Sequence, residues 1–156
     1  MEKLISKYDL NGYTLLKNVL IDLNLINKDY TWLICDFEAV PNKKEIEEFI
    51  YKDEFLLIST SKLVEMLEED NFQWIWGVFS AIPSKYSKEE ILNSKLPHIQ
   101  YYGSDEYNPY EDEPKLQHPL AEFELYAVDS TYMFIVSNNN ELLEQFKSKY
   151  PKFISK

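Results

Sequence analysis

The sequence predicts an α+β fold, with a mainly antiparallel sheet of about five strands packed against four or five short helices in a single domain spanning residues 1–156. Three observations carry this. Residues 72–83, FQWIWGVFSAIP, form the longest apolar run, and their aromatic and β-branched content marks a strand covered on both faces. Residues 120–128, LAEFELYAV, alternate apolar and polar side chains and resume as an extended run at 131–137 after only Asp129 and Ser130, the pattern of a hairpin. Between such runs, short stretches repeat apolar residues at helical spacing. The strict alternation of strand and helix over residues 13–82 leaves a partly parallel α/β arrangement as the alternative.

In chain order, residues 13–26 place Leu15, Leu16, Val19, Leu20 and Leu23 on one helical face. Residues 30–39 have strand composition, and strict alternation would put Trp32, Ile34, Asp36 and Glu38 on one side. Residues 42–51 offer Ile46, Phe49 and Ile50 as an inward stripe beside glutamates, and residues 54–59 form a short strand. Thr60 or Ser61 can cap a helix reaching Asp70, with Leu63, Val64, Met66 and Leu67 inward and an ordinary solvated face of Glu65, Glu68 and Glu69. In the central run, Phe72, Trp74, Trp76 and Val78 should share a side, with Trp76 deeply buried, while Gly77 marks a bulge or a close approach. Ser87 and Glu90 stand at capping-box spacing, and Asn138 with Glu141 can open a last helix carrying Leu142, Leu143 and Phe146. The hairpin turn lacks the glycine that two-residue turns favour, so it should be longer than two by about a residue at each side. Along residues 120–128, Ala121, Phe123, Leu125 and Ala127 alternate against Glu122, Glu124 and Tyr126, the pattern of a half-buried strand.

Composition bounds the function. Sixteen basic residues against 27 acidic ones give a net charge of −11, which argues against a nucleic-acid or anionic-membrane surface and for either plain solubility or a basic partner. All sixteen are lysines, so the bidentate anion clamp that arginine provides is missing. Three glycines, Gly12, Gly77 and Gly103, cannot write a phosphate-binding or dinucleotide loop. Cys35 reads as a small buried thiol. No run suits a signal peptide or a bilayer span, and the expected location is the cytoplasm. The reading is of a non-enzyme with no catalytic residue, metal or cofactor.

From residue 98 to 119 the character changes. This long stretch holds one glycine, three prolines, four tyrosines and five acids without apolar periodicity. As a connection it reads as a solvated acidic loop, with His98 and His118 at the surface. As a site, Asp105, Glu106, Tyr107, Tyr110, Glu111, Asp112 and Glu113 combine tyrosines suited to interface centres with acids that steer a basic protein. An alternative site is catalytic or binds a small molecule. It uses Asp36 and Glu38, about 6.6 Å apart at twice the strand rise of about 3.3 Å, over an aromatic floor that includes Trp32. A third reading is a DNA-mimicking inhibitor, which needs carboxylates spaced along an elongated surface.

The C-terminal residues Asp129, Ser130, Tyr132, Phe146, Tyr150 and Pro151 form an acidic strand, a DSxY turn, a second strand and a final helix ending near YP. This ending resembles that of small acidic bacterial immunity-type proteins of polymorphic toxin systems. The resemblance implies an inhibitor that binds and neutralises a cognate toxin, for example a basic nuclease.

Overall fold

The computed structural model describes residues 1–5, 14–99, 112–151 and 154–155. Its strands are β1 (Glu2–Ile5), β2 (Tyr30–Val40), β3 (Phe55–Ser59), β4 (Gln73–Pro83), β5 (Phe123–Val128), β6 (Tyr132–Ser137) and β7 (Ile154–Ser155). They form one sheet in the order β3-β2-β4-β5-β6-β1-β7, and every pairing is antiparallel. The fold is therefore α+β, and the α/β alternative does not hold. β2 to β6 are the five expected strands. β1 and β7, of 4 and 2 residues, are additional, and runs so short carry no readable period.

The helices are α1 (Leu16–Asp22), α2 (Lys44–Ile50), α3 (Thr60–Glu69), α4 (Lys88–Leu92) and α5 (Asn140–Lys149). α1, α2, α3 and α5 bury their apolar stripes on one face of the sheet, against Trp32, Ile34, Trp74, Phe79, Phe123 and Ile135. Leu63 and Leu67 of α3 are wholly buried there, worth roughly 1.5–3 kcal/mol each. Local signals set the helix starts. Ser87 and Glu90 make the predicted reciprocal capping box. The α3 and α5 caps are Ser59 and Asn139, each one residue off the expected position, and their side chains accept from Lys62 N and Leu142 N.

The second face is also covered, by α4 and the irregular chain around it. Leu33, Cys35 and Ile82 pack with Ile91 and Ala121, while Val78, Tyr126, Phe134 and Val136 pack with Ile99. Two expectations fail for this reason. Glu124 and Tyr126 are fully buried, and only Glu122 of that trio is exposed. His118 is buried too: its Nε2 lies 2.8 Å from the Ile91 carbonyl, and Leu120 N donates to Nδ1 at 3.1 Å, which places the ring proton on Nε2.

β4 lies mid-sheet between β2 and β5, as its two-sided apolar character predicts. Its faces do not alternate strictly, however. Phe72 and Trp74 pack with Phe79 and Ala81 on the helical side, whereas Trp76 and Val78 belong to the opposite side. The cause is a pair of compensating irregularities: Cys35 opposes Val78, Glu38 opposes Trp76 and Ala39 opposes Trp74, so Asp36 and Phe37 together stand opposite Gly77, one residue extra on β2, and Ile75 is one residue extra on β4. Trp76 is consequently only half-buried, and Trp74 is the deep anchor.

Gly77 sits within this irregularity. A Cβ there would stand 3.0 Å from Cζ and 3.2 Å from Cε2 of the buried Phe79 ring, and 3.4 Å from Phe37 Cβ. Gly77→Ala is expected to cost about 1–3 kcal/mol in urea unfolding, because the ring must move within a close-packed core. A loss below about 0.5 kcal/mol would show that the ring yields freely.

The β5–β6 turn confirms the longer loop. Val128 pairs with Tyr132, and Asp129 and Ser130 adopt φ of 49° and 61°. Two left-handed non-glycine residues are costly, and Ser130 N donating to the Ile75 carbonyl at 3.0 Å helps to hold them.

Candidate interaction surface

The sequence-derived sites fare differently. Asp105, Glu106, Tyr107, Tyr110 and Glu111 lie outside the described residues, while Asp112 and Glu113 are exposed. Trp32, Asp36 and Glu38 are not brought together as one site. Trp32 is buried beneath the helices with Nε1 donating to Thr60 Oγ1 at 3.0 Å. Asp36, at φ 47° in the irregular part of β2, instead accepts the Ile99 N–H at 2.8 Å, reaching the chain that covers the opposite face. Glu38 is exposed. The missed feature is the bulge, which breaks the alternation that would align these side chains.

The described parts of the 98–119 stretch are anchored rather than loosely solvated. His98 N donates to Gln117 Oε1 and Gln117 Nε2 returns a bond to the His98 carbonyl, both at 2.9 Å. Buried Lys3 donates to the Asp112 carbonyl at 3.3 Å. Glu124 forms the centre of this anchoring. Its carboxylate accepts from Ser80 Oγ at 2.5 Å, Gln117 N at 2.6 Å, His118 N at 3.3 Å and Tyr126 Oη at 3.3 Å. Burial raises its pKa, and these four donors offset only part of that effect. Chemically this is a clamp: each carboxylate oxygen already accepts two bonds, and Ser80 and Tyr126 are committed to it.

Cys35 is equally unsuited to nucleophilic work. Burial, then the nearby charges of Glu124 and Asp36, push its thiol up to about 12, so no thiolate exists at neutral pH. Among the described residues, no group of three or more His, Cys, Asp or Glu could hold a metal ion. No helix among them is long and apolar enough to cross a membrane.

The surface with the clearest capacity for recognition lies at the other end of the sheet. A groove of about 600 Å³ runs along β3 between α2 and α3. Ile46, Phe49, Ile58 and Met66 supply its apolar lining, and Glu45, Glu65 and Glu69 its acidic rim, with Lys62 in the lining and Lys43 beside Glu69. Phe49 is the informative residue. The helical spacing that buries Ile46 and Ile50 leaves Phe49 51% exposed. Aromatic groups ringed by charge are typical of protein-binding patches. The rim contacts Lys62–Glu65 at 3.5 Å and Lys43–Glu69 at 3.0 Å are exposed ion pairs of small energy, easily exchanged for a partner's cations.

Sequence reading missed this groove. It took Phe49 as core and the α3 glutamates as plain solvated surface, because only the tertiary fold sets these two helices beside a sheet edge. Comparison with protein-family models, with curated proteins and with solved structures found no match for the chain.

Proposed function

We propose that this chain is a non-enzymatic binder, an immunity-type inhibitor that neutralises a basic cognate toxin domain, for example a nuclease. One observation carries the reading: an apolar groove with an exposed aromatic side chain and an acidic rim, on a chain of net charge −11. Such a charge field speeds encounter with a basic protein, and burial of the aromatic centre slows release. The 105–113 stretch stays in the proposal by its composition, as a second acidic and tyrosine-bearing contact. An inhibitor of this kind works in the cytoplasm of the cell that makes the toxin.

Co-expression with the toxin domain encoded beside this chain's gene is the direct test. Growth should be restored, and the purified pair should form a 1:1 complex whose association slows by about tenfold or more as salt rises from low to physiological levels. Unrelieved growth arrest together with no complex would overturn the reading.

A further inference from the structure

The groove meets β3 in a particular way. Leu57, Ile58 and Ser59 are consecutive and point to alternate faces, yet all three line it, so the groove approaches the strand along its edge. Among the described residues, β3 ends the sheet, with β2 as its only neighbour. On an antiparallel edge, alternate residues turn N–H and C=O away from the sheet. A strand edge, an apolar groove and an acidic rim therefore coincide.

We infer that this edge takes up an extended segment of a basic protein as an added strand beside β3. Backbone bonds would supply the pairing. One set of the segment's side chains, apolar, would enter the groove over Phe49 and Met66, and flanking lysines or arginines would meet Glu45, Glu65 and Glu69. Charge selects this occupant over a second copy of the chain, since edge-to-edge self-pairing would bring two acidic rims together on molecules that each carry −11. The inference rests on the proposal that the partner is basic, and adds how it is held.

The probe is a fluorescent peptide of alternating lysine and valine, long enough to span β3, titrated onto the full chain and followed by anisotropy. It should bind, and N-methylation of alternate residues, which removes the donors on one peptide edge, should weaken it by about tenfold or more. Phe49→Lys should weaken it by about tenfold with an unchanged melting transition, as should the double variant Glu45→Lys, Glu65→Lys; a glutamate–valine peptide should not bind. Equal binding of the N-methylated peptide, or indifference to both variants, would overturn the inference. So would sedimentation showing a dimer that Phe49→Lys dissolves, because the occupant would then be a second copy. The two proposals fail separately. A toxin domain that binds Phe49→Lys as tightly as the parent chain leaves the inhibitor reading standing and removes strand addition. Peptide binding as described, with no toxin complex, does the reverse.

Discussion

Replacing Glu124 by leucine is expected to cost about 4 kcal/mol, because it strands four donors around a fully buried position. Each buried unsatisfied group costs about 1–3 kcal/mol, and only the Ser80 and Tyr126 hydroxyls can turn toward another acceptor; the Gln117 and His118 N–H groups are fixed by the backbone. Against a total of about 5–15 kcal/mol for a domain, that brings the variant near unfolding. Glu124→Gln should cost less, about 1–3 kcal/mol. A carboxamide has one acceptor oxygen where two opposed N–H groups need one each, so its amino group must face a donor. Urea denaturation followed by tryptophan fluorescence measures both, and a loss under about 1 kcal/mol for the leucine variant would show that the 117–118 segment is not held by this carboxylate.

The same residue gives a pH dependence of definite sign. Its folded-state pKa is raised by burial, so the folded chain holds a proton that the unfolded chain releases. Its contribution favours folding below the ordinary glutamate value and is lost as pH rises through the folded value. Asp70 acts oppositely. Burial alone would raise it, but the Asn42 side chain, the N–H groups of Lys43 and Asn42, and the Lys43 charge bring it below the ordinary range. Its contribution is present above the ordinary aspartate value and is lost as pH falls through its folded one. Glu124→Gln should therefore close part of its deficit relative to the parent chain as pH rises from the ordinary glutamate value, whereas Asp70→Asn should close its own as pH falls.

Trp74→Ala should cost about 3–5 kcal/mol, the loss expected for truncating a fully buried aromatic side chain. Its ring stacks among Phe37, Phe72 and Phe79 at centroid distances of 5.6, 5.0 and 5.1 Å, so the cavity would open in the densest aromatic part of the core. Trp76→Ala should cost less than half as much, since that ring is only half-buried. Trp74→Phe separates volume from polarity. The Trp74 Nε1–H is buried without a hydrogen-bond partner among the described residues, so phenylalanine removes an orphaned donor while losing some contact. The two effects should offset to within about 1 kcal/mol. Comparable losses for Trp74→Ala and Trp76→Ala would contradict the change of face within β4.

The sequence by itself determined the elements, because their causes are local. Periodicity of 2 marks β5, an extended run resuming after a short break marks β6, side-chain caps begin α3, α4 and α5 within a residue of their expected positions, and the two-sided apolar run of β4 demands a central place. The acidic balance was equally plain, and with it the class of partner proposed. Only the tertiary structure decided which polar residues face water. Glu124, Tyr126 and His118 are buried because a distant, irregular segment folds across the second face of the sheet, and no local period encodes that cover. The paired irregularities between β2 and β4 likewise arise from cross-strand register, and they part Trp32 from Asp36 and Trp74 from Trp76. The groove at β3 has the same origin. Phe49 obeys the spacing of a core residue, yet α2 lies at the rim of the sheet, where no further strand among the described residues covers it, and the side chain is left at the surface beside the β3 edge.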